Sequence, residues 1–148
     1  SVPAGAAEKS GEKKVIHKLV KKTSSLCNNE LTDIDLTMAQ ARILMILNRN
    51  EEFLIQHEIA CEAYVEPTTI SRVIDGMVDK GLVKRSLHEE SRRSNLIEIT
   101  SLGREKAIQS EERFKMVEKK LFKSFKNEEK DIFISLMNRL SEEEILND

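Results

Sequence analysis

The sequence predicts a mainly α-helical fold carrying one small β-hairpin. Three observations lead there. Charged residues make up 34% of the 148 positions and aromatic residues 4%, the composition of helices with solvated faces. Apolar residues recur at helical spacing on both sides of residues 82–100, where short alternating segments replace them. Between those segments, residues 86–95 are too polar to be core.

The elements follow in order. Residues 1–12 read as a tail, and 13–148 as a single domain long enough to bury a real core. A first helix runs to about Asn29, with Val15, Ile16, Leu19, Val20, Leu26 and Cys27 on one face. A second opens at Thr37 as N-cap, with Gln40 as its capping-box partner, and its core face is Met38, Ala41, Leu44, Met45 and Leu47. A third covers about residues 56–63, turning Ile59, Ala60 and Ala63 inward. Pro67 suits the first position of a fourth helix, because its missing N–H is an orphan there in any case. Ile70, Val73, Ile74, Met77 and Val78 form the apolar stripe of that helix, and Gly81 is its left-handed stop. Leu82 to Arg85 and Leu96 to Thr100 read as strands, with Ile97 and Ile99 on one face. A long charged helix follows to about Phe125. A last one, about 128–140, carries Ile132, Phe133, Leu136, Met137 and Leu140.

Two short helices joined by a tight turn and followed by a basic hairpin make a winged helix-turn-helix pattern, spanning about residues 36–100. The net charge of −2 speaks against a whole-surface polyanion binder, but binding follows the local field. Lys84, Arg85, Arg92 and Arg93 cluster at the hairpin, whereas Glu142, Glu143, Glu144 and Asp148 lie at the other end. Thr68, Thr69, Ser71 and Arg72 lie off the apolar stripe, at a helix N-terminus that favours phosphate. Arg72 is the candidate to read a guanine edge, and Arg92 and Arg93 suit a minor groove. Gln56, His57, Lys84 and Arg85 are candidates for backbone phosphate contacts.

The same residues resemble the MarR (multiple antibiotic resistance regulator) family of bacterial transcription factors. The resemblance rests on Leu36-Thr37-Met38-Ala39-Gln40, Glu58-Ile59-Ala60, Pro67-Thr68-Thr69-Ile70-Ser71-Arg72, Lys80-Gly81-Leu82-Val83-Lys84-Arg85 and the run from Ser91 to Gly103. It implies a homodimer built on residues 13–35 and 101–140 as dimerisation helices. It also implies a pseudo-palindromic double-stranded DNA operator, repression of nearby genes, and release by a small aromatic or anionic ligand or by cysteine oxidation. Where relatives often carry a longer polar residue, this chain has Gly76, and Tyr64 replaces the small turn residue usual before the fourth helix.

Cys27 and His17, on the first helix, are the candidates for a redox or ligand pocket; for Cys27 the simpler role is a small buried apolar residue. Two cysteines are too few for a disulfide framework and point to a reducing compartment. No apolar run reaches the ~20 residues of a membrane span, and the start lacks the pattern of a secretory signal. The expected location is cytoplasmic. His17, His57 and His88 show no metal-ligand spacing, so neither a metal nor another cofactor is expected. No catalytic constellation is present, and an enzyme is not expected. The rival reading is a protein-interaction module whose basic wing docks an acidic partner. Against it, the polar edge of the fourth helix carries no aromatic anchor.

Overall fold

The computed structural model describes residues 4–50, 53–88 and 91–142, with side chains described throughout except at 4–10, 13, 88 and 91–94. The element order is α1 (Ala4–Leu31), a 3-10 turn (Thr32–Ile34), α2 (Met38–Arg49), β1 (Leu54–Ile55), α3 (Gln56–Ala63), α4 (Pro67–Asp79), β2 (Val83–His88), β3 (Ser91–Ile99), α5 (Ser101–Leu121) and α6 (Asn127–Glu142). The chain clusters into two compact units, divided between Val117 and Glu118.

In the first unit, α2 is the central helix. Its capping box forms as the sequence suggests: Thr37 Oγ1 accepts from the Gln40 N–H at 3.2 Å, and Gln40 Oε1 accepts from the Thr37 N–H at 3.1 Å. Its core face differs from the expected one. Ile43 and Ile46 are buried beside Ala41, Leu44 and Leu47, while Met38 and Met45 are only partly covered. The reason is tertiary, since α1, α3, α4 and β3 all pack on α2 and leave it no single inward stripe. Lys80, just past the end of α4, donates to the Asp35 carbonyl at 2.8 Å and to Gln40 Oε1 at 3.2 Å. It thereby ties that end to the start of α2.

The sheet has three antiparallel strands in the order β1-β3-β2. Leu54 of β1 lies opposite Ile97 and Ile55 opposite Leu96, a pairing absent from the expected two-strand hairpin. β2 and β3 also extend further into the wing than the expected strands, to His88 and from Ser91. Ile97 and Ile99 both turn inward.

Gly81 adopts φ +73° and stops α4 as expected. Thr100 caps α5, accepting from the Gly103 N–H at 3.0 Å, while its own hydroxyl donates to the carbonyls of Gly81 and Leu82. The α5 side chains Lys106 and Arg113 reach back to Ile34 and to Glu30 and Asp33.

α1 begins at Ala4, earlier than the expected start near residue 13. Ala4, Ala6, Ala7, Glu8 and Lys9 are strong helix formers, and they outweigh Gly5 and Gly11. Over Val15 to Val20 this helix leaves its apolar residues open: Val15, Ile16, Leu19 and Val20 are 40–66% exposed.

In the second unit, Phe122, Phe125 and Phe133 meet edge to face with centroids 5.3–5.7 Å apart. Ile132, Leu136 and Leu140 of α6 point outward, 45–63% exposed. Among the described residues no helix is long and apolar enough to cross a membrane.

Candidate nucleic-acid interface

α4 divides its residues by side. Ile70, Ile74 and Met77 are buried, whereas Thr68, Ser71 and Arg72 are exposed and Thr69 is half-buried. Pro67 opens the helix, and the Glu66 carbonyl accepts from the N–H groups of Thr69 and Ile70 at 2.9 and 3.0 Å. A packed inner face therefore fixes which side chains the first two turns offer to solvent. The turn before it is tight. Tyr64 sits in the left-handed region at φ 55°, and the Val65 N–H returns to the Ala60 carbonyl at 3.0 Å. The Tyr64 ring is 89% exposed, so an aromatic side chain does stand beside this edge.

α3 places two further candidates at its start. His57 is exposed, its Nε2 3.9 Å from Cys61 Sγ. Gln56 is half-buried at the rim of a recess of about 180 Å³, which the start of α3 shares with Pro67, Ile70 and Asn95. Its Oε1 is buried and finds no donor among the described residues.

On β2, Lys84 is exposed and faces Glu98 across the ladder. Its neighbour Arg85 is half-buried: Nη1 donates to the Asp75 carboxylate and Nη2 to the Ser71 carbonyl at 3.1 Å. The geometry thus engages this guanidinium with α4, where the sequence reading expected it to meet phosphate. The backbone of Arg92 and Arg93 lies on β3, and their side chains fall outside the described residues.

A family model, MarR family, matches residues 36–94, which run from the approach to α2 into the wing. Residues 36–94 thus carry a MarR-family domain. A transcriptional repressor, IacR of Pseudomonas putida, is 36% identical over 97 residues, 65% of this chain and 55% of that protein. This chain thus matches only about half the length of that relative. A crystal structure of MarR is similar to this chain with TM-score 0.75 and 27% identity, covering 88% of this chain and 94% of that one. A variant MarR from E. coli complexed with operator DNA shares the fold, with TM-score 0.78 and 23% identity over 90% of this chain and 95% of that one.

Two other candidates lie on α1. His17 is exposed on α1. Cys27 is buried, and burial pushes its thiol up from the ordinary range while the charge of Arg42 pulls it down. Among the described residues no three metal-ligating side chains come together. Sequence reasoning missed Asp75 and its link to Arg85. Both residues are visible in the sequence, but a contact between residues ten apart on a helix and a strand has no local pattern to announce it.

Proposed function

We propose that this chain is a sequence-specific double-stranded DNA-binding transcriptional regulator, acting as a homodimeric repressor. One observation carries the reading: α4 buries one face and presents Thr68, Ser71 and Arg72 outward, beside a hairpin whose far strand bears Arg92 and Arg93. On this reading Thr69, Ser71 and Arg72 enter the major groove, and Arg92 and Arg93 the adjacent minor groove. Gln56, His57 and Lys84 meet phosphates. The repressor name of the Pseudomonas putida relative and the operator complex of the E. coli MarR variant support it.

Homodimerisation is supported by the apolar residues left open on α1 and on α6, each a strip that water contact disfavours. Two recognition helices in one dimer read half-sites about one helical turn, ~10 bp, apart. For release, a small anionic ligand is favoured over oxidation. Arg42 has a buried Nε with no acceptor among the described residues, and the neighbouring Cys27 thiol is held in its unreactive protonated form.

The exposed ring of Tyr64 favours one rival, an interaction module that docks an acidic partner, because aromatic side chains anchor protein interfaces. Selection of bound sites from a random duplex pool separates the two. The wild type should enrich an inverted repeat, and an Arg92→Ala/Arg93→Ala variant should enrich it weakly or not at all. No enrichment at low salt by a folded protein would overturn the DNA reading in favour of the rival.

A further inference from the structure

Arg85 is held in a way that a phosphate-seeking side chain is not. Its fork grips two points on α4: Nη1 binds the Asp75 carboxylate, and Nη2 binds the Ser71 carbonyl at 3.1 Å. Those two residues are one helical turn apart, so the planar guanidinium spans a turn of α4. The side chain is 25% exposed, and its Nε is buried without an acceptor among the described residues. Lys84, next to it on the same strand, is exposed. Ser71 and Asp75 bracket Arg72, the residue placed to read a base. At its other end Arg85 is fixed in the ladder opposite Ile97, on a strand that runs on to His88 and the wing.

We propose that Arg85 is a positioning residue that fastens the recognition helix to the wing strand. It fixes the pose in which Arg72 meets a base relative to the hairpin, and so sets sequence preference instead of adding attraction to phosphate. This inference rests on the DNA-binding reading above. A lysine is a poor replacement, because its donors radiate from one nitrogen, whereas the guanidinium holds two Nη atoms apart in one plane so that each reaches its own acceptor.

The test uses the full-length protein and the duplex it selects, with a scrambled duplex of equal length as reference. Two quantities are read: the affinity ratio between the two duplexes, and the slope of log K against log salt. Arg85→Ala should lower the ratio about tenfold and leave the slope unchanged. Asp75→Ala should cause the same loss, and the double variant should be no worse than either single one. Arg85→Lys should fail to restore the ratio. Lys84→Ala, as the phosphate control, should reduce the slope by about 0.9 per protomer, about 1.8 for the dimer, and keep the ratio.

The proposal is overturned by a slope lowered by Arg85→Ala, by binding tightened by Asp75→Ala as a freed guanidinium reaches DNA, or by additive losses in the double variant. Thermal melting of each variant identifies any that does not fold, and Asp75→Asn, which keeps the shape of the side chain, then takes the place of Asp75→Ala. A wild type with no preferred site overturns the DNA reading and this inference together. A preferred site whose affinity ratio is unchanged by Arg85→Ala overturns this inference alone.

Discussion

At the residue scale, Gly76 is a position that tolerates a side chain. Gly76 sits inside α4, where glycine costs ~1 kcal/mol relative to alanine. A Cβ there would meet only Gln40 Nε2, at 3.6 Å, an ordinary contact. Gly76→Ala should therefore raise stability by roughly 0.5–1 kcal/mol in urea unfolding. The two cysteines differ in their surroundings. Cys27 is buried with its thiol pushed up, and Cys61 is exposed. Iodoacetamide at neutral pH should modify Cys61 first, with Cys27 protected until the chain unfolds; mass spectrometry of timed samples gives the order. The sign of the pH effect follows. A folded thiol that holds its proton more tightly than the unfolded one contributes stability fully below the ordinary thiol range. That contribution is lost as pH rises through the range and above it.

At the scale of elements, the junction of β2, β3 and α5 is the tightest fit. A Cβ on Gly103 would lie 2.2 Å from the Leu82 carbonyl oxygen and 2.7 Å from Ile99 Cγ1. The same carbonyl accepts from the Thr100 N–H at 3.0 Å, so backbone, not a yielding side chain, stands in the way. Gly103→Ala should cost about 1–3 kcal/mol, read as a lowered urea midpoint.

Element limits were legible where a residue signals them locally. Thr37 with Gln40, Pro67, and Gly81 each mark a boundary by their own chemistry, and those boundaries stand. β1 was not legible, because two residues carry no periodicity and exist as a strand only through β3. Nor were the outer parts of the wing strands, whose polar residues conceal the alternation. The candidate site divides the same way. The exposed edge of α4 follows from an apolar stripe countable in sequence, whereas the role of Arg85 depends on a partner brought to it by the fold.

At the scale of the whole molecule, the apolar strips of α1 and α6 call for cover. Replacing Leu136, 45% exposed on α6, by glutamate would remove an apolar contact from a dimer and place a charge there, yet cost a lone folded chain little. Leu136→Glu should convert a dimer to monomer in sedimentation velocity while the helical circular dichroism is kept. An unchanged sedimentation coefficient would remove α6 from the proposed interface.

The oxygen Oε1 of Gln40 accepts both from the N–H that begins α2 and from the ammonium of Lys80 past the end of α4. Two helix ends thus draw on one acceptor, and opening either disturbs the other. Their amides should then belong to one cooperative unit of local unfolding, with Gln40 and Leu82 exchanging hydrogen for deuterium at matched free energies. Lys80→Met should raise both exchange rates together.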